Sequence, residues 1–121
     1  MAKEESDFEI NFFERLVKDN PDFINALMPL AELYTRKGLH EKALGLDLRI
    51  TQLRPEDEIA NYNLACSLAM LGRKEEALGA LARSIQLGYD DFRHMKKDPD
   101  LQSLRDDPRF KALLRDDQAI R

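Results

Sequence analysis

The side chains best suited to nucleophilic or acid–base chemistry are few and scattered in this sequence. The chain holds two histidines, His40 and His94, and one cysteine, Cys66, and no catalytic or metal-ligating motif surrounds any of them. A nucleophilic cysteine needs a base beside it, and a single cysteine is more often a small buried hydrophobe. These residues therefore predict neither an enzyme nor a metal site.

Adjacent carboxylates are the other candidates for acid–base chemistry. They occur at Glu75-Glu76, Asp106-Asp107 and Asp116-Asp117. A catalytic carboxyl group needs a raised pKa, and these pairs are typical of helix starts and solvated surface, where the pKa is not raised. No glycine-rich phosphate loop is present, and we predict no cofactor. An enzyme remains a remote alternative, which requires a cleft that places His94 or Cys66 beside a second titratable group.

Composition narrows the classes of partner. The 121 residues suffice for one domain, and the net charge of −4 disfavours nucleic acid, whose phosphates need a basic surface. No apolar run approaches the ~20 residues that cross a bilayer, so we predict no membrane association. The polar, acidic N-terminus does not resemble a secretory signal, and a single cysteine favours a reducing compartment. We therefore predict a cytoplasmic protein.

The elements that position these side chains follow from one repeated spacing. Between residues 21 and 89, identical residues stand 34 positions apart at many sites. They include Pro21 and Pro55, Leu30 and Leu64, Ala31 and Ala65, Gly38 and Gly72, Glu41 and Glu75, and the Ala-Leu-Gly runs that start at Ala43 and Ala77. A period of 34 residues with small residues at fixed positions is typical of a helix-turn-helix repeat.

On these residues the chain resembles a tetratricopeptide repeat (TPR) protein of the short bacterial type. The matched positions are Leu30-Ala31 and Leu64-Ala65 on the first helix, Gly38 and Gly72 at the turn, Ala43 and Ala77 on the second helix, and Pro55 at the end. The ending, with Asp98-Pro99 and Asp107-Pro108, is similar to that of many bacterial TPR proteins. Asp47 departs from the pattern, because the family has an aromatic there and the second copy has Leu81; we expect looser packing at that point.

The resemblance implies an all-α fold, a short right-handed solenoid of two TPR repeats with helical caps at both ends. We predict a single domain over residues 1–121, with an N-terminal capping helix at 7–20, repeat 1 at 21–55 and repeat 2 at 56–89. Residues 90–121 form a degenerate third repeat and a C-terminal cap.

Local signals place several ends and one irregularity. Ser6 with Glu9 three positions later predicts that Ser6 caps the N-terminal helix. Asp98 and Asp107, each before a proline, predict the caps of two short C-terminal helices. Pro29 lies inside the first helix of repeat 1 and predicts a kink or a widened turn near Met28.

In TPR proteins the first helices of the repeats line a concave face, so the resemblance implies a groove for a partner. Residues three or four positions apart share one face of a helix. The predicted partner-binding set is Asn25, Met28, Glu32 and Arg36 from repeat 1, Ile59, Tyr62, Asn63, Cys66 and Met70 from repeat 2, and Arg93 and Lys97 from the third helix. Such a groove, apolar with a basic end, suits a short peptide with an apolar anchor and an acidic group.

Two alternatives concern the same residues. Ile59, Tyr62 and Met70 could simply pack against neighbouring helices, as apolar residues at helical spacing usually do. Some TPR domains bind a C-terminal carboxylate through Lys, Asn and Arg, and Asn63, Arg93 and Lys97 match three of those positions. Met28 and Glu32 stand at the others, and Glu32 would repel a carboxylate, so we do not predict a complete clamp.

The function that the resemblance implies is protein–protein interaction: a module or scaffold that binds a peptide or a partner helix. A different possibility is homo-oligomerisation. Phe8, Phe12 and Phe13 could bury against a second copy of the chain, which would give a homodimer.

Overall fold

Helices account for all the regular secondary structure in the part of the chain that the structure describes. The structure is a computed structural model that describes the backbone of residues 2–120 and the side chains of residues 7–114. The elements are α1 (Ala2–Asp19), α2 (Ile24–Arg36), α3 (His40–Leu53), α4 (Glu58–Met70), α5 (Lys74–Gln86), α6 (Phe92–Lys97), a 3₁₀ helix (Pro99–Leu104) and α7 (Pro108–Ile120). The predicted all-α class is confirmed.

The turns after α2 and α4 have the same backbone geometry. Gly38 and Gly72 both have φ of 76°, a left-handed conformation that glycine adopts without strain and that ends many helices. The amide donors and carbonyl acceptors are also equivalent. In the first turn the amide of Gly38 donates to the carbonyl of Thr35, and the amide of Leu39 donates to the carbonyl of Tyr34. In the second turn Gly72 donates to Ala69, and Arg73 donates to Leu68. The second set is the first set shifted by 34 residues, so the repeated sequence produces a repeated local structure.

The start of the first helix differs from the prediction, which placed this helix at residues 7–20. Helix α1 begins at Ala2. Ser6 therefore lies inside the helix, and its predicted role as the N-cap is wrong; its side chain lies outside the described residues. Alanine, lysine and glutamate favour the helix, and residues 2–5 are all of these types, so helix formation continues upstream of Ser6.

The caps predicted near the C-terminus are confirmed. The carboxylate of Asp98 accepts a hydrogen bond from the backbone amide of Asp100 at 3.0 Å, at the start of the 3₁₀ helix. Asp107 does the same for the backbone amide of Arg109 at 2.8 Å. Helix α2 continues through Pro29 from Ile24 to Arg36, so the proline does not divide the helix.

Each helix from α1 to α4 packs against the next one along the chain. Ala43 and Ala77, the predicted small contacts, have no exposed surface, which is consistent with close approach of the helices around them. At the N-terminal end, Ile10 of α1 packs with Leu30, Leu33 and Tyr34. The hydroxyl of Tyr34 also donates to Glu14, which fixes α1 against α2.

The C-terminal segment completes the core on α4 and α5. Met95, Leu101, Leu104 and Phe110 are at most 2% exposed and belong to the same cluster as Leu81. The C-terminal segment therefore covers the second helix pair. None of the described helices is long and apolar enough to cross a bilayer.

Candidate functional site

A groove of about 630 Å³ lies along α2 and α4. Parts of α3 and α6 and the first residues of the 3₁₀ helix complete its lining. Apolar walls come from Met28 and Pro29 of α2, Ile50 of α3, and Ala60 and Met70 of α4. The groove thus runs along α2 and α4, the helices in which the sequence predicted a partner-binding face.

Six of the eleven predicted binding residues line this groove. They are Met28, Glu32, Tyr62, Asn63, Cys66 and Met70. The other five lie outside the lining and are exposed: Asn25, Arg36, Ile59, Arg93 and Lys97. Helical spacing therefore predicted residues of α2 and α4 that line the groove, together with neighbours that lie outside its lining.

The predicted basic end is not part of the groove. Helix α6 has only six residues, and Met95 on it is fully buried against the core. Because Met95 packs into the core, its neighbour His94 lies in the groove lining. Arg93 and Lys97 are four positions apart and share another face of α6, where they are exposed and outside the lining. The expectation of cationic groups at this end of the groove is thus wrong.

Carboxylates dominate the charge of the lining instead. The charged side chains in it are Glu32, Asp47, Asp98 and Asp100, and no lysine or arginine is among the lining residues that the structure describes. Glu32 is exposed and forms an ion pair of 2.8 Å with Arg36, which lies outside the groove. Among the described residues of the lining, the three aspartates therefore have no lysine or arginine partner.

Asp98 is the centre of a buried polar network. Its Oδ2 accepts a hydrogen bond of 2.6 Å from the hydroxyl of Tyr62 and lies 3.2 Å from Nε2 of His94. The Cys66 thiol approaches the same oxygen at 3.8 Å. Tyr62 is only 5% exposed, and its ring stacks on Tyr89 with centroids 4.2 Å apart. Tyr62 is therefore a core residue as well as a groove residue, as one of the two alternatives predicted.

This network brings together groups that the sequence left apart. Cys66 and His94 both lie beside Asp98 in the groove lining, so the geometric condition set for the enzyme alternative is met. Burial, followed by the nearby charge of Asp98, raises the pKa of the Cys66 thiol. Burial and the hydrogen bond to Asp98 also raise the pKa of the Tyr62 hydroxyl. A protonated thiol is a weak nucleophile, so the electrostatics of the site disfavour cysteine chemistry.

The same region also groups three potential metal ligands. Sγ of Cys66 and carboxylate oxygens of Asp98 and Asp100 lie within 4.8 Å of one another. A metal ion here would need the thiol to lose its proton and would compete with the hydrogen bond from Tyr62 to Asp98. We therefore interpret the cluster as a hydrogen-bonded network that fixes α6 and the 3₁₀ helix to α4.

Asp47 lies at the floor of the groove and is 5% exposed. Its Oδ2 accepts a hydrogen bond of 2.6 Å from the Ser67 hydroxyl. Burial raises the pKa of Asp47 to about 6, although this hydrogen bond acts in the opposite direction. Asp47 is thus buried and held by Ser67, and the looser packing expected at this point stays a prediction. Its departure from the repeat pattern was the sequence signal that could have identified it as a groove residue.

His40 also belongs to the lining, although the sequence placed it in a turn. It is the first residue of α3, and its Nδ1 is buried without a hydrogen-bond partner among the described residues. A buried imidazole nitrogen usually has a partner in a folded protein. His40 is therefore a lining residue that also carries an unsatisfied buried nitrogen.

Comparison with known proteins gives a partial likeness. No family model matches the chain. Over 85 residues, which are 68% of this chain, the sequence is 33% identical to a protein of Arabidopsis thaliana that is described by name as chloroplastic. Those residues are 25% of that protein, so the chain spans about a quarter of the relative's length. The name assigns that relative to the chloroplast, and the cytoplasmic location predicted above remains a prediction.

Proposed function

We propose that the chain is a TPR-type protein-interaction module, a short solenoid of two repeats that binds a peptide or a partner helix in its groove. The 34-residue identities and the equivalent hydrogen bonds at Gly38 and Gly72 support the TPR assignment. Packing of each helix on the next supports the solenoid arrangement.

The observation that carries the binding function is the exposure of apolar side chains inside the groove. Met28 and Met70 line it, yet they are 40% and 41% exposed. Methionine is flexible and polarizable, and it adapts to the side chains of a partner. A groove of about 630 Å³ is large enough for a few peptide side chains.

Selection of peptides tests this function. A random dodecapeptide library displayed on phage is panned on the immobilised chain, and the enriched peptides are synthesised with a fluorescent label. We expect the double variant Met28→Ser and Met70→Ser to raise the Kd of these peptides at least about tenfold, because two apolar contacts at a binding site are lost.

Leu48→Ser is the matched control for this test. Leu48 is 43% exposed and lies outside the groove lining, so its loss removes similar apolar surface elsewhere. The control should bind with an unchanged Kd. Failure to enrich any peptide, or equal Kd values for the double variant and the wild type, would contradict the proposed binding function.

Self-association is a second candidate, favoured by the outer face of α1. Phe8 and Phe12 are 74% and 51% exposed, which is unusual for two neighbouring aromatic residues. This candidate predicts that the molar mass measured by light scattering rises toward that of a dimer with concentration. The double variant Phe8→Glu and Phe12→Glu should then remain monomeric. A wild-type chain that is monomeric at all concentrations removes this candidate.

A further inference from the structure

We propose that the partner inserts a cationic side chain, from lysine or arginine, into the groove and places it against Asp47. This inference depends on the proposed binding function and specifies the chemistry of the partner. It reverses the expectation from the sequence, which assigned an acidic group to the peptide.

The charge of the lining is the first argument. The groove has four carboxylates and no lysine or arginine among its described lining residues. An acidic peptide would meet repulsion from Asp47, Asp98 and Asp100, which lie on different parts of the chain. A cationic group would be attracted by all three, and such complementarity selects between partners.

Asp47 differs from Glu32 and Asp98 in the groups that satisfy it. Glu32 is paired with Arg36. Asp98 accepts from Tyr62 and from the amide of Asp100, and it lies 3.2 Å from Nε2 of His94. Asp47 has the hydroxyl of Ser67 as its hydrogen-bond donor, and no cation pairs with it among the described residues. A carboxylate that is 5% exposed carries a large desolvation cost unless a positive charge compensates it.

The second repeat shows that the packing does not require this pair of polar groups. The residue 34 positions after Asp47 is Leu81, which is fully buried. The residue 34 positions before Ser67 is Leu33, which is 4% exposed. The same two places thus accept leucine elsewhere in the same chain. The polar pair at the groove floor is therefore better explained by a ligand than by the needs of the fold.

The surroundings of Asp47 also suit a long cationic side chain. Ile50 and Ala60 line the same groove and are buried, so they offer apolar contact to the methylene groups of lysine or arginine.

The test uses the phage-displayed dodecapeptide library on the wild-type chain and on Asp47→Asn. Asparagine keeps the shape of the side chain and an oxygen for the Ser67 hydroxyl, but it removes the charge. Asp106→Asn is the control, since Asp106 is exposed, lies outside the lining and loses the same charge. We expect lysine or arginine to be enriched at one position of the peptides selected on the wild type and on the control.

The enriched peptides are then compared with versions in which citrulline or norleucine replaces the enriched arginine or lysine. We expect Kd to rise at least about tenfold for these neutral versions, and likewise for Asp47→Asn with the original peptides. Peptides enriched in acidic residues, or binding that depends on Met28 and Met70 but not on Asp47, would overturn this inference and leave the proposed function standing. Failure to select any peptide would overturn both.

Discussion

Phe110→Ala is expected to lower the free energy of unfolding by about 3–5 kcal/mol, the usual cost of truncating a buried phenylalanine. Phe110 is 2% exposed and belongs to the core cluster that contains Leu81 and Leu104. It comes from α7, the last helix, which packs on α5. The truncation would leave a cavity between the C-terminal segment and the second helix pair.

Chemical denaturation followed by circular dichroism measures this effect. Lys111→Ala is the control, because Lys111 is the next residue of α7, is exposed, and alanine favours the helix. The control should unfold at the wild-type denaturant concentration. A Phe110→Ala variant as stable as the control would show that the C-terminal segment contributes little to the core.

Asp47→Asn is expected to change the pH dependence of stability. The pKa of Asp47 is about 6 in the folded chain, against 3.8 for an ordinary aspartate. The ionised carboxylate therefore destabilises the fold above about pH 6, and the cost decreases as the pH falls toward 4. The difference between these pKa values corresponds to about 3 kcal/mol. Part of this cost is already present at pH 4, so the variant should gain about 2 kcal/mol relative to the wild type between pH 4 and pH 7.

The comparison isolates Asp47, because the other titratable groups of the lining are common to both proteins. These include Glu32 from α2, His40 from α3, Cys66 from α4 and His94 from α6. Urea unfolding at several pH values gives the two stability curves, and Asp106→Asn supplies a control that should run parallel to the wild type. A constant difference between Asp47→Asn and the wild type across this range would show that Asp47 has an ordinary pKa.

The helices and turns of the middle of the chain were predictable because their determinants are local. The glycines at 38 and 72 act on the neighbouring backbone, and the 34-residue period marks where each turn and each small contact at 43 and 77 recurs. Asp98 and Asp107 before prolines likewise located the starts of the last two helices. The error at Ser6 also has a local cause. A capping pattern does not end a helix when the residues before it also favour helix formation.

The acidic character of the groove was not predictable in this way, because it arises from contacts between distant parts of the chain. Tyr62 and Asp98 are 36 residues apart, and Asp47 and Ser67 are 20 apart. Residues 90–121 keep only one identity at the 34-residue spacing, Asp91 with Asp57, so the repeat gave little information on which residues of α6 face the groove. Whether Arg93 or His94 faces the groove depends on the burial of Met95, which is a tertiary contact.

Asp98 joins two parts of the molecule through one side chain. Its Oδ1 accepts the amide of Asp100 at the start of the 3₁₀ helix, and its Oδ2 accepts the hydroxyl of Tyr62 in the groove. A displacement of Tyr62 would therefore disturb the side chain that caps the 3₁₀ helix. One carboxylate thus links the groove to the start of the C-terminal segment.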